Sequence, residues 1–156
     1  MDLLIMRHAE AEAVTTSGDD ADRALTSRGR KRTRAAAQTM KRLSVIPQRV
    51  LTSPYLRARE TAGIVAEELG VPLEDAERLS CGATLGDWAA VVEAHEAVRC
   101  ILLVGHEPDC SQGIGTLIGG GRIAMKKGAL ACVSAEVIAP GGGRLEWLLA
   151  PPQLTG

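Results

Sequence analysis

The sequence predicts a layered α/β fold in which strands alternate with helices. Two uninterrupted apolar runs, Leu3–Met6 and Cys100–Val104, have the length and composition of buried strands. Segments with apolar residues at helical spacing lie between such runs, and this alternation is typical of a sheet covered by helices. With 156 residues, of which 46% are hydrophobic and 24% charged, we expect one folded domain spanning residues 1–156 rather than a disordered chain.

Capping residues place the two clearest helices. Thr26 is the expected N-cap of a helix that runs to Leu43 and buries an alanine- and methionine-rich face. Ser53 is expected to cap the next helix, with Pro54 at its first helical position. That helix has apolar residues at helical spacing as far as Leu69, and Gly70 ends it.

Weaker patterns complete the fold prediction. Two further helices are expected at Leu85–Ala94 and Asp109–Leu117, and three further strands at Arg49–Thr52, Leu130–Ile138 and Leu145–Leu149. The last two strands are separated by the turn residues Pro140–Gly143, which favours a hairpin.

Composition excludes several classes of function. Eighteen Lys and Arg against nineteen Asp and Glu give a net charge of -1, which disfavours a nucleic-acid or membrane-surface binder. Two Trp, one Tyr and no Phe leave few platforms for stacking on single-stranded nucleic acid. The four scattered cysteines fit reduced, buried side chains, and the amino-terminal apolar run is too short for a signal peptide. We therefore expect a cytoplasmic protein and favour a monomer.

Polar side chains follow three of the expected strands at their carboxyl ends, where ligands collect in α/β sheets. Arg7 and His8 follow the first, Arg57 lies just after the second, and His106 follows Cys100–Val104. A cation in the first turn of a helix, as at Arg57, opposes the helix dipole unless an anion binds there. Two guanidiniums beside an imidazole nucleophile predict phosphoryl transfer without a metal or other cofactor.

Four segments carry a resemblance to a known family. They are IMRHAEAE, ALTSRGR, LTSPYLRARET and LLVGHEP, in this order along most of the chain. Together they resemble the histidine phosphatase superfamily, and within it the small bacterial phosphohistidine phosphatases of the SixA type. The resemblance implies a three-layer αβα sandwich with a mostly parallel central sheet, phosphoglycerate mutase-like and without a cap domain.

The resemblance also implies the roles of individual residues. His8 would be the nucleophile that is transiently phosphorylated, and Arg7, Arg57 and a protonated His106 would bind the phosphoryl oxygens. Glu10 is expected to line this site. Ser53, although expected as a cap, has a hydroxyl that could also face the phosphate.

The chain departs from the family pattern at two points. Ala9 stands where the family usually has glycine, so we expect an ordinary backbone conformation there. No carboxylate is clearly marked as a general acid; five are only candidates, namely Glu10, Asp19, Asp20, Asp22 and Glu107. Because protonated phosphohistidine can leave as neutral imidazole, a missing acid favours a phosphohistidine-bearing protein, such as a phosphotransfer or signalling domain, as substrate. The short interval between Arg57 and His106 leaves no room for a cap domain and predicts an open site.

Other functions remain open at this point. The chain could be a small-molecule phosphomonoesterase of the same superfamily, or a non-catalytic phosphate-binding module that uses the arginines for recognition alone. A metallohydrolase would draw its ligands from His8, Glu10, His106 and Asp109. The basic run from Arg28 to Arg34 is expected to be a solvated helix face, with guidance of an acidic partner as the alternative, which charge reversal at Arg30 and Arg34 would test.

Overall fold

A six-stranded sheet forms the centre of the structure, a computed structural model that describes residues 1–156. The strands are β1 Asp2–Arg7, β2 Arg49–Thr52, β3 Leu73–Asp75, β4 Cys100–Gly105, β5 Leu130–Ala135 and β6 Gly143–Leu149. The helices are α1 Ser27–Arg42, α2 Leu56–Leu69, α3 Leu85–Glu93, α4 Asp109–Leu117 and α5 Pro151–Thr155. None of these helices combines the length and the apolar character that crossing a membrane requires.

The sheet is mostly parallel, as expected. Its strand order is β3-β2-β4-β1-β5-β6; β1 to β4 run parallel to one another, and β5 pairs antiparallel with both β1 and β6. The pairing of β4 with both β1 and β2 brings the carboxyl ends of these three strands to one edge of the sheet. This edge is where the sequence places the polar side chains described above.

Helices cover both faces of the sheet and make three layers. Along β1, Leu3 and Ile5 pack into the core beneath α3 and α4, whereas Leu4 and Met6 pack into the core beneath α1, α2 and α5. A strand buried on both faces needs apolar residues at every position, which is why Leu3–Met6 is an unbroken apolar run. The three-layer αβα prediction is confirmed.

The capping predictions are confirmed for α1 and for the end of α2. The Thr26 side chain accepts a hydrogen bond from the Gly29 amide, and Leu43 is the C-cap. Gly70 ends α2 in the left-handed conformation, at φ 67°. Of the helices with weaker patterns, α4 has the predicted bounds and α3 differs at its end by one residue.

The predicted start of α2 is wrong. The helix begins at Leu56 with Tyr55 as its N-cap, so Ser53 is not a cap and Pro54 is not the first helical residue. The Ser53 hydroxyl instead accepts a hydrogen bond from the Tyr55 amide at 3.2 Å and forms a second one across the site. This long-range bond competes with the capping geometry that the local sequence favours.

Two elements were not predicted, and two strand limits were misplaced. β3 has three exposed residues and therefore shows no apolar pattern. α5 is a five-residue helix that begins at a proline pair, and from the sequence this segment resembles an irregular C-terminal tail. β5 ends at Ala135 rather than Ile138, and β6 starts at Gly143, before the predicted strand. These differences lie at the margins of the sheet.

Candidate active site

Backbone hydrogen bonds hold three strand ends together at one edge of the sheet. The His8 amide donates to the Gly105 carbonyl at 2.9 Å, and the Ser53 amide donates to the Val104 carbonyl at 3.0 Å. The imidazole rings of His8 and His106 consequently lie 5.4 Å apart, measured between their centroids. The active-site cluster is defined here as four residues: Arg7, His8, Arg57 and His106.

His8 is buried and its ring is held through both nitrogens. Its Nδ1 lies 2.7 Å from the carbonyl oxygen of Ala9, and because a carbonyl can only accept, Nδ1 carries the proton. Nε2 then has its lone pair free and accepts a hydrogen bond from Arg57 Nε at 3.3 Å. Burial, together with the charges of Arg57 and Arg7 and the neighbouring His106, lowers the pKa of His8 to about 3. The ring is neutral near pH 7, with Nε2 as its nucleophilic atom.

Arg57 brings a buried guanidinium to the centre of the site, with only 3% of the residue exposed. Besides its bond to His8, its Nη1 donates to the backbone oxygen of Asp20 at 2.8 Å and its Nη2 to the Asp20 carboxylate at 3.0 Å. Its Cζ lies 5.1 Å from the centre of the Tyr55 ring, and Nη2 is 3.6 Å from Cys81 Sγ. Asp20 therefore supplies the negative charge that balances Arg57 in this structure.

His106 is buried beside Ser53, and their Nε2 and Oγ atoms are joined by a hydrogen bond of 2.7 Å. Its Nδ1 is buried without a hydrogen-bond partner, and the Tyr55 ring meets its ring edge-on at 5.0 Å. Burial, followed by the Arg57 charge, lowers the pKa of His106 to about 4. The His106 ring by itself is therefore neutral near pH 7, because desolvation outweighs the nearby Asp20 carboxylate; its protonation when it binds phosphoryl oxygens stays a prediction.

Arg7 is half-buried at the end of β1 and points toward a neighbouring loop. Its Nη1 donates to the carbonyl oxygen of Met125 at 2.8 Å, while its Nε is buried without a partner. A buried guanidinium nitrogen with no acceptor is costly, and an anion would satisfy it. Arg7 thus has hydrogen-bonding capacity that the protein itself does not use.

Thr61 connects the loop after β1, which carries His8, to α2. Its hydroxyl accepts from the Ala9 amide at 3.1 Å and donates to the Arg57 carbonyl at 2.7 Å. Ala9 has no positive φ angle, which confirms the expectation of an ordinary backbone conformation at this position. The hydroxyl of Thr61 therefore holds the amide of Ala9, the residue whose carbonyl contacts His8 Nδ1.

The acidic candidates lie in different surroundings. Among them, Asp20 is the carboxylate hydrogen-bonded to the cluster, whereas Glu107 accepts from the Ser111 amide. Glu10 lies 3.9 Å from Arg28 and lines a cleft next to the site. Although partial burial opposes it, hydrogen bonds from two arginines lower the pKa of Asp20.

The ligand set named for a metallohydrolase is not brought together. No group of three or more His, Cys, Asp or Glu side chains is placed to hold a metal ion. The Asp109 carboxylate instead accepts from the amides of Gly82 and Ala83, at 2.8 and 3.2 Å. It therefore stabilises the loop before α3.

Sequence reasoning missed several contacts of the cluster. Thr61, Tyr55, Met125 and Cys81 contact it but were not singled out. Thr61 and Tyr55 lie within LTSPYLRARET, so their proximity to Arg57 along the chain was a usable signal. Met125 and Cys81 are far from the cluster in sequence and no local pattern marks them.

The chain matches a known protein family over more than half of its length. The family model described as the histidine phosphatase superfamily (branch 1) matches residues 3–97. The chain belongs to this superfamily. The relatives named in the next paragraph are phosphatases, and this chain is a phosphatase.

Relatives extend the match across the whole chain, including His106, which lies beyond the family-model match. Phosphohistidine phosphatase SixA of Escherichia coli (strain K12) is 32% identical over 161 residues, covering 99% of this chain and 96% of that protein. The SixA homolog of Haemophilus influenzae is 33% identical, covering 76% of this chain and 78% of its own length. The solved structure of the protein histidine phosphatase SixA complexed with tungstate has a TM-score of 0.88 and 30% identity, covering 99% of both chains.

Proposed function

We propose that the protein is a phosphohistidine phosphatase that acts through a covalent phosphohistidine at His8. The observation that carries the proposal is the pair of contacts on the His8 ring. The Ala9 carbonyl fixes the proton on Nδ1, and Arg57 Nε marks the position in front of Nε2. A buried neutral imidazole with one free lone pair facing a guanidinium is suited to attack a phosphorus atom.

In the first step, Nε2 of His8 forms a bond to phosphorus while the bond from phosphorus to the substrate's imidazole nitrogen breaks. The substrate imidazole, protonated on its other nitrogen, keeps that proton and leaves neutral. On His8, the proton stays on Nδ1, hydrogen-bonded to the Ala9 carbonyl at 2.7 Å. The phosphorylated ring therefore stays in its protonated form, in which it is itself a good leaving group.

In the second step, a water oxygen attacks phosphorus and the bond from phosphorus to Nε2 breaks. The two water protons leave with the product as dihydrogen phosphate, and His8 returns to the neutral form with Nδ1 protonated. Neither step moves a proton on or off His8, because the same Ala9 hydrogen bond serves the free and the phosphorylated ring.

Charge neutralisation falls to the other members of the cluster. Arg57 and Arg7 supply planar donors for the phosphoryl oxygens, and the unpartnered Arg7 Nε gains an acceptor. A doubly negative phosphoryl group beside His106 would raise the pKa of that ring from about 4 and favour its protonation. Such positive charge is what phosphoryl transfer chiefly needs, and we propose that no metal ion is required. The tungstate complex of SixA supports the binding of a phosphoryl group by this fold, since tungstate is a tetrahedral oxyanion of the same shape as phosphate.

The leaving group favours phosphohistidine over an ester. An ester releases an alkoxide that needs a proton, and the Asp20 carboxylate, with its lowered pKa, is ionised and poorly suited to donate one. Phosphohistidine has no such need. The substrate we propose is a phosphohistidine-bearing protein of the phosphotransfer or signalling kind.

Phosphate release tests the proposal. Wild type, His8→Ala and, as the matched control, His95→Ala would be incubated in EDTA with a phosphohistidine peptide and with an aryl phosphate; His95 pairs with Glu74, remote from the cluster. We expect rapid release from the peptide by wild type and His95→Ala, and none by His8→Ala. An acid-labile phosphate should be trapped on wild type and on His95→Ala, but not on His8→Ala.

Two outcomes would overturn the proposal. Preference for the aryl phosphate would make the protein a small-molecule phosphomonoesterase. Activity on the peptide that requires a metal ion, or that survives in His8→Ala, would refute the covalent mechanism.

A further inference from the structure

A cleft of about 510 Å³ opens beside the active-site cluster, on the side of β1 that faces α1. It is lined by the end of β1, by α1, by residues 126–128 and by α5. Arg7 is shared, since it belongs to the cluster and also lines this cleft, and Ala9 and Glu10 line it next to the nucleophile. We call it the basic cleft because of its charged lining.

Three exposed cations of the basic cleft have no ion-pair partner. They are Arg32 on α1 and the adjacent Lys126 and Lys127. The single acid among the lining residues is Glu10, which lies 3.9 Å from Arg28 outside the cleft lining. The cleft therefore has an excess of positive charge.

The other arginines of the basic run are differently placed. Arg30 pairs with Glu60 at 2.6 Å, and Arg34 lies 3.9 Å from Glu68, both across the contact between α1 and α2. These two arginines, chosen from the sequence as a test of partner guidance, are thus partly neutralised within the protein. Arg32 is the member of the run that lines the cleft.

The cations are held in a fixed relation to the nucleophile. The Gly128 amide donates to the carbonyl oxygens of both Arg7 and His8, each at 3.2 Å, and Arg7 Nη1 donates to Met125. The segment that carries Lys126 and Lys127 is therefore bonded on both sides to the end of β1. A ligand that spans the basic cleft and the cluster would therefore contact two charged regions whose relative position is fixed.

We propose that the basic cleft binds acidic side chains of the protein that carries the phosphohistidine, which deepens the proposed function and rests on it. Of the fourteen lining residues, Glu10 is the one acid, and the other thirteen are neutral or cationic. Only three of the fourteen are hydrophobic. This lining suits carboxylates better than an apolar partner. Exposed charge pairs speed association and lower KM, and salt screens them. The cleft adds affinity for the substrate without taking part in the chemical step.

Two peptides would serve as probes, each with a central phosphohistidine, flanked by glutamates in one and by glutamines in the other. The test variant reverses all three cations (R32E, K126E and K127E). A control variant makes the same change in net charge at exposed basic residues that do not line the cleft (K31E, K41E and R99E). Thermal unfolding would show that both variants fold.

We expect the test variant to raise KM for the glutamate peptide by about tenfold at low salt, with kcat unchanged, and to leave the glutamine peptide unaffected. In wild type, the preference for the glutamate peptide should decline with added salt. Equal effects on both peptides, or an equal rise in KM in the control variant, would overturn the proposal.

A binding measurement separates this proposal from the proposed function. The unphosphorylated glutamate peptide, labelled with a fluorophore, should bind wild type and the control variant more tightly than the test variant. If wild type released no phosphate from either peptide, the proposed function would fail. If the expected binding difference were still observed, the cleft would remain a binding site for acidic peptides. Equal binding by all three proteins would refute the basic cleft itself.

Discussion

Replacing Thr61 with valine should weaken both the fold and the catalysis. Valine has nearly the same volume, so the change removes the hydroxyl without opening a cavity. The Ala9 amide would lose the Thr61 oxygen, to which it donates at 3.1 Å in a buried position. An unsatisfied buried amide costs about 1–3 kcal/mol, which for a domain of this size corresponds to a melting temperature lower by roughly 2–12 °C.

The catalytic effect follows from the same residue, Ala9, whose amide and carbonyl belong to adjacent peptide units. Its carbonyl holds His8 Nδ1 at 2.7 Å, so movement of Ala9 would rotate the nucleophile away from its line of attack. We expect kcat/KM for a phosphohistidine peptide to fall by about 10- to 100-fold, since small misplacements of reacting groups have effects of this size. Urea unfolding and steady-state phosphate release would measure the two effects.

Thr33→Val is the matched control. Thr33 is also buried on a helix, but its hydroxyl donates only to the Gly29 carbonyl one turn earlier, and no amide depends on it. We expect its unfolding free energy to change by less than about 1 kcal/mol. If Thr61→Val and Thr33→Val lost the same stability and the same activity, the role assigned to the Ala9 peptide would be refuted.

Three further changes have defined outcomes. Because burial lowers the two site imidazoles to pKa values of about 3 and about 4, the unfolded chain binds protons below pH 6.5 that the folded chain does not. In urea unfolding, the free energy of unfolding should decrease as the pH is lowered from about 6.5 to about 4. Each ring should contribute a decrease of up to about 1.4 kcal/mol per pH unit. Asp20→Asn should tighten tungstate binding several-fold in calorimetry, because the carboxylate competes with an anion for Arg57. Gly113→Ala should destabilise the fold by about 1–3 kcal/mol in urea unfolding, because its new methyl group would lie 2.6 Å from Cζ2 of the buried Trp88 ring.

Each of these has a control that can contradict it. His8→Asn should reduce the pH slope of stability, and an unchanged slope would mean that His8 titrates normally. Asp22→Asn changes the same charge in the same turn, and equal tightening by both variants would make the Asp20 effect non-specific. Gly63 lies in α2 with open space around an added methyl group, so Gly63→Ala should raise the free energy of unfolding. If Gly63→Ala lowered it as much as Gly113→Ala, contact with Trp88 would not explain the effect at Gly113.

Features set by neighbouring residues could be predicted from the sequence. Thr26 caps α1 and Gly70 ends α2, because a side-chain oxygen and a left-handed glycine act within one helical turn. β1 and β4 were recognised because both of their faces are buried. The grouping of Arg7, His8 and His106 followed from the rule that parallel strands end at the same edge.

Features set by distant partners could not be predicted in this way. Ser53 fits an N-cap locally, and only the approach of His106 gives its hydroxyl another partner. Asp20 is one of several acids in a polar loop, and nothing in that loop shows that it reaches Arg57. The lowered pKa of His106 could not be foreseen, because desolvation depends on burial that the sequence does not display.

The position of β4 between β1 and β2 determines when the site can exist during synthesis. Asp2 of β1 pairs with Cys100, and Arg49 of β2 pairs with Ile101, so neither early strand touches the other directly. In a nascent chain that ends before residue 100, the strands that precede His8 and Arg57 lack the strand that pairs with both of them. His8 and Arg57, the proposed nucleophile and anion-binding arginine, therefore gain the sheet that positions them only after β4 has left the ribosome and inserted between the two strands.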